Sequence, residues 1–190
     1  CEYLESMLGA WAGRVASFNV NHRYIADELH YLLTDADAKA VVVNSMYAPN
    51  LAEVLPQLPN LGLIVQVPDE SGNGLLPGAI YYEDFLREQE PRDLDDCSPD
   101  DLYLLYTGGT TGMPKGVLWR NADFFVGALG GLDRKTGLDY DSYAEVASAA
   151  ARGTIKWMTS APFMHGAAQW IALQALTMGH TVVLPDVTDR

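Results

Sequence analysis

Apolar residues recur along the chain with two alternating periods. In residues 2–13, Leu4, Met7, Leu8 and Trp11 fall on one helical face and Gly13 supplies a stop. Residues 15–20 read as a strand. Helical spacing returns at residues 27–35 through Leu29, Leu32 and Leu33, and residues 39–43 form a run suited to a parallel strand buried on both faces. The same reading predicts helices at 47–55 and 82–90 and a strand at 61–67. A loop at 71–78 is marked by its glycines and proline. Strands follow at 101–107 and 117–119, and a helix starts near Asn121. Residues 133–153 read as an irregular insertion. A strand at 156–160, a helix at 166–178 and a strand at 181–184 complete the pattern.

Strand and helix alternate throughout, which implies an α/β fold: a layered sheet with right-handed crossovers and no internal repeat. With 48% hydrophobic and 19% charged residues, the chain can bury a core. Twelve basic residues against 25 acidic ones give a net charge of −13, which argues against a nucleic-acid surface. Part of that charge is local: residues 83–101 hold nine acidic and two basic residues, a net of −7, which reads as a solvated connector. Cys1 and Cys97 form no disulfide framework, and neither has a metal-ligand spacing with the four histidines. No apolar run approaches the roughly 20 residues needed to span a bilayer. The expected setting is reducing and cytoplasmic, and peripheral membrane association is compatible with it.

Residues 107–116, TGGTTGMPKG, carry the clearest chemistry. Four glycines let backbone N–H groups approach an anion, three threonines add hydroxyl donors, and Lys115 adds a mobile positive charge. A polyphosphate suits such a loop. The Walker A spacing fails on both sides of Lys115, which has Pro114 before it and Gly116 after it. Pro114 removes a donor and biases Met113 toward extended backbone. The expected arrangement is therefore strand, phosphate loop, strand, without a helix N-terminus behind the phosphate.

The run YTGGTTGMPKGV at 106–117 resembles the phosphate-loop signature of the adenylate-forming (AMP-binding) superfamily, which includes acyl-CoA synthetases, nonribosomal peptide synthetase adenylation domains and luciferase. APFMHG at 161–166 resembles the Pro-x-x-His segment that leads into that family's acyl-binding wall. FNVNHRY at 18–24, followed by DEL at 27–29, resembles the Asn-x-Arg and Glu-Leu segment of fatty-acyl-CoA synthetases. Around Trp119, residues 127–131 and Met164, the chain is most similar to actinobacterial ligases for long-chain fatty acids or steroid side-chain acids. The resemblance assigns the ATP phosphates to Thr107, Gly108, Gly109, Thr110, Thr111, Gly112 and Lys115, and the acyl chain or carboxylate to Met164, His165, Gly166 and Ala167.

On periodicity alone His165 reads as a core or capping residue and Lys115 as a surface charge. The resemblance moves His165 to the substrate and gives Lys115 a role in binding, since that family places its catalytic Lys elsewhere. Ala168 would leave room beside the acyl chain, and Trp170 could gate it. Asn21 and Arg23 read as structural. The implied reaction is adenylation of a carboxylic acid by ATP with Mg2+, then transfer to CoA. Two alternatives remain: an acyl-AMP ligase or adenylation domain that releases the adenylate or loads a carrier protein, and a nucleotide-binding piece without turnover. The family's Tyr-Gly-x-Thr-Glu and Thr-Gly-Asp segments and its small C-terminal domain are not found in the 190 residues. The resemblance thus implies that 1–190 is part of the large N-terminal AMP-binding domain, inactive alone. No metal ligand is assigned, and a homodimer is compatible with this reading.

Overall fold

The computed structural model describes residues 2–91, 97–108, 112–133 and 135–184. Helix α1 (Glu2–Ala12) buries Leu4 and Met7. Its end departs from expectation, because the left-handed residue is Arg14 (φ 58°) and not Gly13. Val15 N–H closes the helix on the Ala10 carbonyl at 2.8 Å. The Arg14 guanidinium grips the Asp101 carboxylate with three contacts of 3.0–3.1 Å. Those bonds, with one from Ser98 N–H, hold the Asp101 carboxyl below the usual carboxylate range.

Helix α2 (Ala26–Asp35) presents Leu29, Leu32 and Leu33 inward, and the Glu28 carboxylate accepts from Ile25 N–H at 3.1 Å over its first turn. Strand β1 (Ala40–Asn44) leads through a short 3-10 turn and helix α3 (Ala48–Val54) to β2 (Leu63–Val67), with which it pairs in parallel from Ala40–Leu63 to Asn44–Val67. A short strand absent from the sequence reading, β3 (Ile80–Tyr81), adds on the far side of β2, in the order β1-β2-β3. The expected two-sided burial of β1 is not found. It is an edge strand with Val42 43% exposed, while Ile64 to Val67 of the central β2 are buried. Leu29, Leu33, Leu51, Val54 and Ile64 form the core between this sheet and its helices. Helix α4 (Tyr82–Arg87) follows β3.

A second core lies under the rest of the chain. Strand β4 (Leu102–Thr107) and strand β5 (Lys115–Arg120) form an antiparallel hairpin, followed by α5 (Asn121–Ala128). Phe124 of α5 is the centre of an aromatic cluster, with ring centroids 4.6 Å from Tyr103, 5.5 Å from Trp170, 6.0 Å from Trp11 and 6.1 Å from Trp119. The region read as an irregular insertion contains a helix, α6 (Tyr143–Ala150), capped by Ser142, whose hydroxyl accepts from Glu145 N–H at 3.3 Å. Strand β6 (Lys156–Met158), helix α7 (Gly166–Thr177) and strand β7 (Thr181–Val183) form the last unit, with β6 and β7 parallel. Among the described residues the α/β layering is thus distributed over three small sheets.

Residues 15–20 form no strand. They run along the outer edge of β4, where Leu104 N–H donates to the Ser17 carbonyl at 3.1 Å, and the next rung is taken by a side chain, that of Asn19. No helix among the described residues is long and apolar enough to cross a membrane.

Gln66, fully buried in β2, holds the loop before β3. Its amide nitrogen donates to the Ser45 hydroxyl and the Gly74 carbonyl, both at 2.9 Å, and its oxygen accepts from Leu76 N–H at 3.0 Å. Gln66→Leu keeps the volume but strands the buried Leu76 N–H, worth about 1–3 kcal/mol, and the part-buried Gly74 carbonyl. Chemical denaturation should show a loss of about 2–4 kcal/mol. A loss under about 0.5 kcal/mol, the ordinary surface value, would mean that water replaces the amide at no cost.

Candidate active site

The TGGTTGMPKG run sits at the tip of the β4–β5 hairpin. Thr107 and Lys115 are register partners, so the strands close directly on the loop as the motif requires. The Thr107 hydroxyl makes only a long contact, 3.4 Å, to the Lys115 carbonyl, and both residues are exposed. Gly109, Thr110 and Thr111 lie outside the described residues.

Gly108 and Gly112 revise one part of the sequence argument. Neither has a positive φ, so the turn does not demand glycine for its conformation. A Cβ at either position would also meet nothing within 4 Å among the described residues. The fold itself tolerates a side chain there. Space kept open on the outside of a loop is useful to a ligand that must approach the backbone.

The strand behind the loop is held rigidly. Tyr106 directs its backbone N–H and carbonyl away from β5, toward Asn19, which accepts from the N–H at 3.0 Å and donates to the carbonyl at 3.2 Å. The Tyr106 hydroxyl donates to Asp35 at the end of α2 at 2.6 Å. Burial and this carboxylate acceptor push the phenol well above its usual range. Tyr103, fully buried on the same strand, donates its hydroxyl to Gln169 at 2.6 Å, and burial pushes its phenol up to about 12.

The second predicted group, Met164 to Ala167, lies beside this strand. His165 is the exposed N-cap residue of α7; its N–H donates to the Pro162 carbonyl at 3.0 Å, its own carbonyl accepts from Ala168 N–H at 3.1 Å, and its side chain makes no capping bond. The Met164 carbonyl accepts from Asn19 at 2.7 Å. Since the same amide nitrogen reaches Tyr106, the phosphate-loop strand and the His165 segment are adjacent, although 57 positions separate Thr107 from Met164 (164 − 107). Gly166 has a packing reason, because a Cβ there would sit 2.7 Å from Leu105 Cδ2 of β4. Ala167 is exposed, whereas Ala168 is fully buried in the core and cannot line a ligand. Trp170 packs on Trp119 and Phe124 as part of the aromatic cluster, which corrects its reading as a gate.

Sequence reasoning passed over Asn19, Tyr103 and Gln169, the residues that bring the two groups together. Each amide was visible as a lone polar residue within an apolar stretch, Phe18-Asn19-Val20 and Ala168-Gln169-Trp170. A shallow cup of about 380 Å3 lined by Asp133, Asp139, Asp141, Glu145 and Arg152 holds none of the candidate residues. Among the described residues no group of three or more His, Cys, Asp or Glu could hold a metal ion.

The model for the family described as AMP-binding enzyme matches residues 1–190. The chain is 52% identical over 192 residues to the medium-chain acyl-CoA ligase Mig of Mycobacterium avium, covering 100% of this chain and 35% of that protein. It is 36% identical over 187 residues to the 3-oxocholest-4-en-26-oate–CoA ligase of Rhodococcus rhodochrous, covering 96% of this chain and 34% of the other. A solved fatty acyl CoA synthetase of Mycobacterium tuberculosis shares the fold with a TM-score of 0.68 at 20% identity, over 99% of this chain and 33% of that one. The chain therefore spans about a third of the length of the curated relatives it matches.

Two opposed effects meet at Gly166. Alanine there gains up to about 1 kcal/mol of helix propensity but overpacks Leu105 by about 1–3 kcal/mol. Gly166→Ala should therefore lower the unfolding free energy by roughly 1 kcal/mol. In a Leu105→Ala background the same change should become neutral or stabilising. Equal effects in the two backgrounds would show that α7 does not press on β4.

Proposed function

Because the chain belongs to the AMP-binding enzyme family, we propose that its gene product is an ATP-dependent acyl-CoA ligase acting on a fatty acid or a steroid side-chain acid. A carboxylate is a poor acyl donor, since its leaving group would be oxide or hydroxide. Its oxygen attacks the α-phosphorus of ATP, the bond to the β-phosphate oxygen breaks, and pyrophosphate leaves the acyl adenylate. The CoA thiolate then attacks the acyl carbon and AMP departs with the bonding pair. On this reading the loop from Thr107 to Lys115 cradles the β- and γ-phosphates, and the segment from Met164 to Ala167 meets the acid. Positioning and charge stabilisation are what such a loop contributes.

The observation that supports this reading is the hairpin: a glycine-rich motif between Thr107 and its register partner Lys115, whose Gly108 and Gly112 have no positive φ and meet no neighbour within 4 Å among the described residues. The relatives named for medium-chain and steroid-acid CoA ligation support CoA, rather than a carrier protein, as the acceptor. The described residues offer no cage for Mg2+, and no step is assigned to it.

The loop is tested by separating stability from activity. Gly108→Val and Gly112→Val should leave the unfolding midpoint of the full-length gene product unchanged, because among the described residues no neighbour is within 4 Å. They should still lower acid-dependent ATP–pyrophosphate exchange about tenfold to a hundredfold, since each charge-assisted bond lost to a phosphate is worth about 1.5–3 kcal/mol. Unchanged exchange in both variants would remove the loop from the reaction.

The acid side is tested at Ala167. If the acyl chain passes this exposed position, Ala167→Phe should shift the preferred acid to shorter chains and leave the KM for ATP unaltered. Each methylene excluded from an apolar pocket is worth about 1–3 kcal/mol, so a loss of several moves the preference by orders of magnitude. His165→Ala should instead lower the rate for acids of every length. A chain-length profile that does not move in Ala167→Phe would place the acyl chain elsewhere.

A further inference from the structure

Two buried side-chain amides connect β4 to the segment that opens α7, and neither belongs to the loop or to the His165 group. Asn19 is 5% exposed and uses its whole amide: the oxygen accepts from Tyr106 N–H at 3.0 Å, and the nitrogen donates to the Tyr106 carbonyl at 3.2 Å and to the Met164 carbonyl at 2.7 Å. Gln169 is fully buried; its oxygen accepts from the Tyr103 hydroxyl at 2.6 Å and its nitrogen donates to the Phe163 carbonyl at 2.6 Å. The carbonyls of the consecutive residues Phe163 and Met164 are thus both tied to β4, one through each amide.

The chemistry of the amide explains the choice of residue. One acceptor and two donors in a fixed plane can pair with a backbone N–H and two carbonyls at once, which neither a carboxylate nor a hydroxyl can do. When every member of a buried network is satisfied, the network holds its parts in a single arrangement. Here the parts are Tyr106, which directly precedes Thr107 at the loop, and Met164, which directly precedes His165.

We propose that Asn19 and Gln169 are positioning residues for adenylate formation, a two-point clamp that sets the separation between the phosphate loop and the acid-binding segment. The role rests on the acyl-activating reading given above. In-line attack needs the carboxylate oxygen about 3–3.5 Å from phosphorus, and a misplacement of about 1 Å costs on the order of a hundredfold in rate. The second half-reaction, in which a thiolate meets an adenylate already formed, has no triphosphate to align and does not depend on the clamp. Asn19 touches the residue next to the loop and Gln169 acts through Tyr103, three positions further back, so Asn19 carries the larger share.

The test uses the full-length gene product with Asn19→Asp, Gln169→Met and, as a control, Gln66→Leu, which damages an equally buried amide in the first sheet. Asn19→Asp keeps the acceptor for Tyr106 N–H and loses both donations. Three readouts are compared at temperatures where each variant is folded: unfolding midpoint, ATP–pyrophosphate exchange with a fatty acid, and thioester formation from supplied acyl adenylate and CoA. The kcat of exchange should fall about a hundredfold for Asn19→Asp and about tenfold for Gln169→Met, with KM for ATP and acid and the thioester step within about threefold of the unsubstituted protein. Gln66→Leu should lose stability and keep both half-reactions.

Exchange that stays normal in both amide variants would overturn the clamp. So would a parallel fall of both half-reactions, matched by Gln66→Leu, because the amides would then serve only the fold. Should Asn19→Asp fail to fold, Gln169→Met decides by the same criteria. An unsubstituted protein that shows no exchange with any acid would instead overturn the acyl-activating reading itself, and the clamp with it.

Discussion

Strand β4 has a second edge, and the demand that its buried polar groups be paired organises the surrounding chain. On one side β4 pairs with β5. On the other, the N–H of Leu104 and both backbone groups of Tyr106 face protein, and each would cost about 1–3 kcal/mol if left without a partner. A full third strand would satisfy them but would leave no side chain free to reach elsewhere. The chain uses one backbone bond, from Leu104 to Ser17, and then the Asn19 side chain. That substitution frees the second amide hydrogen for Met164 and so brings the α7 entry to the hairpin.

Two glycines near the hairpin are fixed by packing and two are not. Gly166 and Gly116 are glycine because neighbours press on them: Leu105 on the first, Leu104 and Tyr106 on the second. Gly108 and Gly112 have no such neighbour among the described residues and no unusual φ. Gly9, Gly74 and Gly127 share that openness, so what sets Gly108 and Gly112 apart is their place in the TGGTTGMPKG motif.

The elements were legible wherever local pattern and tertiary context agreed. Helices α1, α2 and α7 and the hairpin strands follow the hydrophobic spacing, and the loop motif located the hairpin tip. Departures arise where a distant partner decides. The run at 39–43 has the composition of a central strand, yet β2 takes the centre because β3 pairs on its other side. Residues 15–20 have strand-like composition, but Asn19 gives its side chain to the rung that backbone would fill. Helix α6 carries a capping signature in Ser142 followed three residues later by Glu145, but the residues before it are turn-rich and mask its start in the pattern. The candidate loop and His165 were legible as motifs. The amides joining them were not, because their partners lie 87 positions away for Asn19 to Tyr106 and 66 for Gln169 to Tyr103.

On the proposed reading, a chain of net charge −13 must still offer a place to a triphosphate. Two of its acidic residues stand at the far end of the hairpin from the tip. Asp100 and Asp101 stand at the base of the hairpin, paired with Arg120 and Arg14, while Thr107 and Lys115 stand at the other end of the ladder. Five steps of about 3.4 Å put roughly 17 Å between base and tip. That exceeds the Debye length of about 8 Å at physiological ionic strength, so the exposed Asp100 carboxylate is screened from the loop, and Asp101 is held against Arg14. Asp35 is closer, where its carboxylate accepts the Tyr106 hydroxyl at 2.6 Å. If the loop takes the phosphates as proposed, Lys115 meets the anion about two Debye lengths from the charges at the hairpin base.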